Sequence, residues 1–163
     1  MNCSPDINIR QFKKSDLNAV RELILSTINT CYAGFYPPRA IEYFKQYHCD
    51  ANILERAEKG YTIIVESNGR VVATGTIVEN HVCAVFIIRS VQRQGLGRKI
   101  MEHLEDRAIS EGFKEINLDV SLPSRQFYER LGYRLSEDTH IDVGEGQSLD
   151  YWKAHKPLPA GKS

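Results

Sequence analysis

One stretch constrains the fold of this 163-residue chain most strongly: residues 82–112, VCAVFIIRSVQRQGLGRKIMEHLEDRAISEG. Its first part is an apolar, β-branched run typical of a buried strand, and its second half has the spacing of an amphipathic helix. The apolar stripe of that helix consists of Leu96, Ile100, Met101, Leu104 and Ala108. Gly112 predicts the end of the helix, because glycine readily adopts the left-handed conformation that closes many helices.

The loop between strand and helix, residues 92–97, has the composition of an anion site. The first backbone N–H groups of a helix lack intrahelical acceptors, and the helix dipole adds partial positive charge there. Gly95 and Gly97 have no Cβ, so a phosphate can approach the backbone closely. Arg93 and Arg98 add formal charge. The pattern predicts that this loop binds a pyrophosphate.

Three kinds of phosphate-binding protein use a strand, a glycine loop and a helix. The P-loop requires Lys-Ser/Thr after its last glycine, whereas Gly97 is followed by Arg98 and Lys99. The dinucleotide fingerprint requires a small residue where this chain has Ile100. The remaining pattern, Q/R-x-x-G-x-G/A, resembles the acyl-CoA loop of the GCN5-related N-acetyltransferases (GNAT).

A second segment resembles the same family. Residues 118–133, LDVSLPSRQFYERLGY, are similar to its later motif, in which a strand ends, a short helix carries Phe-Tyr, and Leu-Gly-Tyr leads into the next strand. Both motifs occur in the order that the family has. The resemblance covers residues 7–154 and indicates one N-acetyltransferase domain over residues 1–163.

The rest of the chain yields an order of elements. A first strand at 7–12 precedes a helix capped by Ser15 that frays near Thr30, and Pro38 begins a second helix. The remaining predictions are a short helix at 52–58, strands at 61–66 and 70–78 around an Asn68-Gly69 turn, a strand at 116–120, and a final pair at 133–139 and 148–154 joined by a loop at 142–147. The resemblance implies the α/β GNAT fold: a mixed, mostly antiparallel sheet of six to seven strands, splayed between strands 4 and 5 and flanked by helices.

The resemblance implies acetyl-CoA as the cofactor. The backbone of Val85, Phe86 and Ile87 is expected to pair with the pantetheine arm, and the Ile87 amide to face the thioester oxygen. The expected pyrophosphate residues are Gln92, Arg93, Gln94, Gly95, Leu96, Gly97 and Arg98, and those nearer the pantetheine are Ser121, Ser124, Arg125 and Tyr128. Arg89 departs from the family, which usually has a proline there.

Three residues are candidates for catalysis. In the family, the tyrosine of the Phe-Tyr motif protonates the departing thiolate, which makes Tyr128 the candidate acid; a packing role is the alternative. A phenol of pKa about 10 is a suitable proton donor to a thiolate whose conjugate thiol has a pKa of about 8.5. His81 corresponds to the position of the family's carboxylate base, and Glu79 shares its predicted strand face. Either His81 or Glu79 could be the general base, and both could instead be ordinary exposed residues. Asp119 is a further residue that could line the splay.

The aromatic loop of residues 31–38 has two readings. Tyr32, Phe35 and Tyr36 either pack the corner between two helices or, as the resemblance implies, form a wall of the acceptor site.

Composition excludes several classes of function. Twenty-one basic and 21 acidic residues give zero formal net charge, so we expect no nucleic-acid partner, and an apolar spanning segment is lacking, so we expect no membrane partner. The four cysteines lack C-x-x-C spacing and the histidines lack metal-ligand spacing, which favours free thiols in the cytoplasm and no metal.

These patterns lead to one function and one alternative. The sequence predicts an acetyl-CoA-dependent N-acetyltransferase that acts on a primary amine of a small molecule or peptide by direct attack in a ternary complex. A non-catalytic acyl-CoA-binding regulatory module is the alternative. A homodimer is left open by the sequence.

Overall fold

A seven-stranded sheet organises the computed structural model, which describes residues 6–160. Its strands are β1 (Ile7–Gln11), β2 (Tyr61–Ser67), β3 (Arg70–Val78), β4 (His81–Ile87), β5 (Glu115–Ser121), β6 (Arg134–Gly144) and β7 (Gln147–Pro157). They lie in the order β1-β2-β3-β4-β5-β7-β6, and neighbours are antiparallel except for the parallel pair β4 and β5. The predicted fold class is confirmed.

Helices cover both faces of this sheet. They are α1 (Leu17–Thr27), α2 (Pro38–Tyr47), α3 (Asp50–Lys59), α4 (Leu96–Ser110) and α5 (Arg125–Arg130). Between residues 6 and 160, no helix combines the length and apolar character that crossing a membrane requires.

The face beneath α4 holds the larger core. Ile116, Leu118 and Val120 alternate along β5 as buried residues and pack with the apolar stripe of α4. Gly75 on β3 lets the helix approach closely, because a Cβ there would overlap the Ile100 side chain. The opposite face packs against α1, α2 and α3, and its buried residues include Val20, Ile24, Ile28, Ala40, Ile53 and Phe86.

The sheet opens between its two parallel strands. β4 and β5 pair through two residue couples, His81 with Asn117 and Val82 with Leu118, and then diverge. β4 continues to pair with β3 as far as Ile87. The far part of β4 therefore has a free edge, which confirms the predicted splay.

A β-bulge lies in β4 where the opening begins. The pairing with β3 shifts between Thr76–Ala84 and Ile77–Val82, which leaves Cys83 as the extra residue. A bulge changes the alternation of side chains along a strand. The bulged residue, Cys83, lies among the residues that line the opening.

Three local predictions were wrong. Ser15 does not cap α1: the helix follows a 3₁₀ turn, and the carboxylate of Asp16 instead accepts the Lys13 N–H at 2.7 Å and pairs with Arg10. The first helix does not fray near Thr30 but continues as a π-helical turn, Ile28–Tyr32.

The third wrong prediction concerns the last loop. β6 and β7 are joined by a two-residue turn rather than by a loop at 142–147, because Glu145 and Gly146 both adopt positive φ (55° and 72°). Such a turn matches the twist of the two strands, so both strands are longer than predicted. Elsewhere, positive φ at Asn68 and Gly69 confirms the predicted hairpin turn, and Gly112 follows the end of α4 as predicted.

Candidate active site

A cleft of about 280 Å³ occupies the opening between β4 and β5. Its floor is β4 with the polar face of β5, one wall comes from the π-helical turn and α2, and the other from α5 and the β6–β7 hairpin. We call the side nearer α4 the donor end and the side nearer α2 and the hairpin the acceptor end.

The donor end presents free main chain. The N–H of Ile88 donates to the carbonyl of Val72 on β3 at 2.9 Å. Because backbone groups alternate in direction along a strand, Phe86 also faces β3, whereas the N–H groups of Val85 and Ile87 point away from β3. The Val85 carbonyl points the same way, and the Ile87 carbonyl accepts the side-chain amide of Gln92. Of the three residues predicted to pair with pantetheine, two therefore have suitable backbone geometry, and Phe86 contributes a buried ring instead.

The loop before α4 leaves the start of the helix accessible. Gly95 occupies the N-cap position with φ 84°, has no side chain to cap the helix, and has open space within 4 Å of where a Cβ would be. Gln92 turns back and donates from its side-chain amide to the Ile87 carbonyl at 2.9 Å. Arg93 and Arg98 are exposed beside uncapped N–H groups, an arrangement that fits a diphosphate.

Gly97 has a structural reason beyond phosphate access. It is buried, and a Cβ there would lie 2.6 and 2.8 Å from ring atoms of Phe127. Because Gly97 has no Cβ, α5 can pack directly on the first turn of α4. This contact couples the two motifs that were recognised separately in the sequence.

The polar residues around α5 divide into two groups. Ser121 and Ser124 line the cleft, and their hydroxyls hydrogen bond to each other at 2.7 Å. Arg125 is engaged elsewhere: its Nε donates to Glu129 at 2.6 Å, and its guanidinium lies over the ring of Trp152. Of the predicted pantetheine residues on this side, the serines therefore lie in the cleft, and Arg125 lies outside its lining.

Tyr128 lies where the donor and acceptor ends meet. It is 7% exposed, lines the cleft and packs edge-on against Phe127 and Tyr133. Burial, with a smaller contribution from nearby Tyr32, raises the pKa of Tyr128 above its ordinary value. The phenol therefore remains protonated at neutral pH, the form required of a proton donor.

His81 lines the same cleft and is held by β5. Its Nδ1 hydrogen bonds to Oδ1 of Asn117, and its Nε2 lies 3.9 Å from Oδ2 of Asp119. Since the amide oxygen of Asn117 is an acceptor, Nδ1 must carry the hydrogen, which leaves the lone pair of neutral imidazole on Nε2. Glu79 sits in the turn before β4 with φ 55° and lies outside the cleft lining.

The three aromatic residues predicted for the acceptor site separate. Tyr32, supplied by the π-helical turn, lines the cleft, whereas Phe35 is 55% exposed and lies outside that lining. The Tyr36 hydroxyl donates to the Asp150 carbonyl at 2.8 Å and accepts the Leu122 N–H at 2.9 Å. Tyr36 therefore fastens the segment before α2 to β7 and to the turn that follows β5.

The sequence reasoning missed a group of residues at the end of α2. Tyr43 and Tyr47 line the cleft as a stacked pair with centroids 6.4 Å apart, and His48 lies beside them. Burial, assisted by Arg56, lowers the pKa of His48 to about 3. The i, i+4 spacing of the two tyrosines was a signal for a shared helix face, but nothing in the sequence indicated what that face meets.

Over residues 6–160, no group of three or more His, Cys, Asp or Glu side chains is placed to hold a metal ion. Cys31, Cys49 and Cys83 are free thiols, and Cys3 lies outside the described residues.

Solved structures with the same fold are numerous. A GCN5-related N-acetyltransferase from Rhodopseudomonas palustris superposes with a TM-score of 0.85 at 17% identity, covering 97% of this chain and 100% of that one. PaiA N-acetyltransferase from Thermoplasma acidophilum, solved with coenzyme A, gives 0.76 at 19% identity over 94% and 99% of the two chains. YncA from Salmonella typhimurium, a putative acetyltransferase solved with acetyl-CoA, gives 0.70 at 20% identity over 96% and 98%. At these identities the likeness establishes the fold.

Two curated relatives also match. Probable N-acetyltransferase 14 of Danio rerio is 34% identical over 73 residues, and the matched part is 43% of this chain and 26% of that protein. This chain thus corresponds to a minor part of the zebrafish protein's length. The uncharacterized N-acetyltransferase YafP of Escherichia coli K12 is 17% identical over 152 residues, which cover 93% of this chain and 97% of that protein.

The family model of the acetyltransferase (GNAT) domain matches residues 32–144, a segment that includes the wall of α2, the opening between β4 and β5, and the start of α4. The chain belongs to the GNAT acetyltransferase family.

Proposed function

We propose that the protein is an acetyl-CoA-dependent N-acetyltransferase that transfers the acetyl group directly to a primary amine. One observation carries the proposal. The free edge of β4 is followed, after the loop of residues 88–95, by the uncapped start of α4, and Tyr128 and His81 line the same cleft from different elements. Family membership and the coenzyme A complexes of two fold relatives support the choice of cofactor.

Acetyl-CoA supplies an activated thioester carbonyl. In our proposal the N–H groups at the start of α4, with Arg93 and Arg98, hold its diphosphate. The outward backbone groups of Val85 and Ile87 align the pantetheine arm, and the Ile87 N–H polarises the carbonyl oxygen. The serine pair, Ser121 and Ser124, borders the arm on the β5 side.

His81 is the proposed general base. Asn117 fixes the tautomer whose Nε2 accepts a proton, so His81 removes a proton from the attacking amine directly or through one water. Glu79 is the second candidate from the sequence, but it lies in the turn before β4 rather than on the strand face of His81 and is outside the cleft lining, so His81 is preferred.

Tyr128 is the proposed acid. Its phenol is protonated at neutral pH, and Tyr128 lines the cleft next to the path proposed for the pantetheine arm along β4. It donates its proton to the departing sulfur, which avoids release of a free thiolate.

The competing function is a regulatory module that binds acyl-CoA without turnover. Purified protein, acetyl-CoA and a panel of amines test the choice, with thiol release and the mass of the acetylated amine as readouts. Transfer with intersecting initial-velocity patterns supports a ternary complex, and parallel patterns contradict direct attack. Calorimetric binding of CoA without any acetylated product across the panel would favour the module.

A further inference from the structure

The acceptor end of the cleft has an uninterrupted wall of rings. Tyr43 stacks on Tyr47, which meets His48 edge-on at 5.0 Å, and His48 meets Phe86 at 4.9 Å. Phe86 lies 6.3 Å from Tyr32, and Tyr32 packs edge-on against Phe44 at 4.9 Å. We call Tyr32, Tyr43, Phe44, Tyr47, His48 and Phe86 the ring wall. Such a surface favours an apolar or aromatic group over a hydrated one.

Arg56 stiffens the ring wall from behind without charging it. Its guanidinium lies 4.1 Å from the centroid of Tyr47, donates to the Tyr47 carbonyl at 2.8 Å and contacts Nδ1 of His48 at 3.2 Å. The pKa of His48 is lowered to about 3, chiefly by burial, so its ring is neutral at physiological pH. A cation entering the cleft therefore meets no charged imidazole in this wall.

The formal charge of the cleft lining is negative and comes from one side chain. Of the described residues that line it, Asp119 is the one acidic side chain, and no lysine or arginine is among them. The carboxylate is 49% exposed and lies 3.9 Å from the Nε2 of His81. An ammonium bound by Asp119 thus lies beside the proposed base.

The opposite wall limits the size of the acceptor. Ile141, Leu149 and Tyr151 of the β6–β7 hairpin face the cleft. The hairpin is fastened to the start of α2, because the Arg39 N–H donates to Gln147 at 2.9 Å and the Arg39 Nε donates to the Val143 carbonyl at 3.2 Å. A volume of about 280 Å³, shared with the pantetheine end, leaves space for a compact group.

On the premise that the protein is an N-acetyltransferase, we propose that its acceptor is a compact primary amine carrying an aromatic ring or a similar apolar group. Asp119 binds the ammonium beside His81, and the apolar group lies between the ring wall and the hairpin. A polyamine would place a second ammonium where the described lining offers no second carboxylate. A peptide would present a polar backbone, rather than a ring, to the ring wall.

Acetylation of three amines tests this assignment: 2-phenylethylamine, spermidine and a short peptide that begins with alanine. We expect kcat/KM for 2-phenylethylamine to exceed the other two by at least about tenfold, the discrimination that one apolar group in a fitted pocket provides. A preference for spermidine or the peptide overturns the inference and leaves the proposed transferase activity intact.

Two variants test whether Asp119 binds the ammonium of the acceptor. Asp119→Asn should raise KM for 2-phenylethylamine by about tenfold or more, because it removes the negative charge that binds the ammonium beside His81. Calorimetric affinity for coenzyme A should stay unchanged, because Asp119 is not among the residues proposed to hold that cofactor. Asp106→Asn makes the same chemical change on the exposed face of α4 and should leave both quantities unchanged. Equal KM values for Asp119→Asn and the unaltered protein overturn the role of Asp119.

A binding measurement separates this inference from the proposed activity. 2-Phenyl-N,N-dimethylethylamine retains the ring and forms an ammonium, but its free amine has no hydrogen on nitrogen to lose and so cannot yield a stable amide. Calorimetry therefore records its binding whether or not the protein acetylates amines. Binding that Asp119→Asn weakens supports the assigned acceptor site, and absence of binding overturns it.

Discussion

The two ends of the cleft are built from different materials. The donor end consists of main chain: the outward backbone of Val85 and Ile87 and the uncapped start of α4. The acceptor end consists of side chains from the π-helical turn, α2, β5 and the hairpin. Main chain presents the same groups whatever the residue, whereas a surface of side chains changes with every substitution. The donor end is therefore suited to one common cofactor, and the acceptor end to one particular amine.

The largest effect is expected where the two ends meet. Tyr128→Phe removes the proposed acid but keeps the ring that packs on Phe127, so kcat should fall by roughly 100-fold while KM for acetyl-CoA changes little. Steady-state kinetics with both substrates varied measure this. Tyr133→Phe is the matched control, since that hydroxyl donates to Glu105 away from the cleft. Unchanged kcat in Tyr128→Phe would remove the residue from catalysis.

A methyl group at the donor end should lower stability as well as binding. In Gly97→Ala the new Cβ meets the Phe127 ring at 2.6 Å, and overpacking of this kind costs about 1–3 kcal/mol of unfolding free energy. Chemical denaturation and calorimetric titration with coenzyme A measure the two losses. Gly34→Ala is the control, because nothing lies within 4 Å of its Cβ position. Recovery of stability in the double variant with Phe127→Leu would establish the contact; wild-type stability of Gly97→Ala alone would contradict it.

At the acceptor end, Tyr36→Phe should lower stability and leave coenzyme A affinity unchanged. The substitution leaves the Asp150 carbonyl and the Leu122 N–H without their partner, at a cost of about 1–2 kcal/mol. Thermal unfolding with and without coenzyme A measures both quantities. If the free energy of coenzyme A binding falls as much as the free energy of unfolding, the two ends of the cleft are not independent.

The effect that is smallest at neutral pH, and that grows as the pH falls, concerns His48. Because the folded protein lowers the pKa of His48 from 6.5 to about 3, the unfolded chain binds a proton between these values that the folded chain does not. Stability should therefore be full above pH 6.5 and fall as the pH decreases toward 3, with this histidine contributing up to about 1.4 kcal/mol per pH unit.

His48→Gln should flatten that part of the stability curve, measured by denaturation at several pH values between 4 and 7. Asp16→Asn serves as the comparison, because the lowered pKa of Asp16 beside Arg10 affects stability at more acidic pH. Parallel curves for His48→Gln and the unaltered protein would show that His48 is not responsible.

The contrast between the two ends also explains what the sequence could predict. The loop and the helix start follow from glycines and apolar spacing, which are local features of the chain. The splay was implied by the resemblance to the family. The ring wall was missed because Tyr47, His48 and Phe86 come together only through packing of α2 on β4. The contact of Gly97 with Phe127 was missed for the same reason: it joins residues 30 positions apart in sequence.

Tertiary contacts also explain the errors. Ser15 has the residue type of a helix cap, but Asp16 is drawn into an ion pair with Arg10 on β1, and the helix starts after it. The hairpin turn at Glu145 and Gly146 lacks the Asn-Gly pair that made the earlier turn visible, so positive φ at a glutamate was not expected. The roles of Tyr128, His81 and Glu79 stay predictions.

The hydrogen bond from Tyr36 can form only late in the synthesis of the chain. The residue whose carbonyl its hydroxyl reaches lies 114 positions further along the chain. A nascent chain that has emerged only as far as β5 already contains β4 and α4, the elements of the donor end. The β6–β7 hairpin that covers the rings of the acceptor end has not yet been made. Ribosomes must therefore deliver almost the whole polypeptide before this side of the molecule closes, and a truncated product would display an aromatic surface to chaperones and proteases.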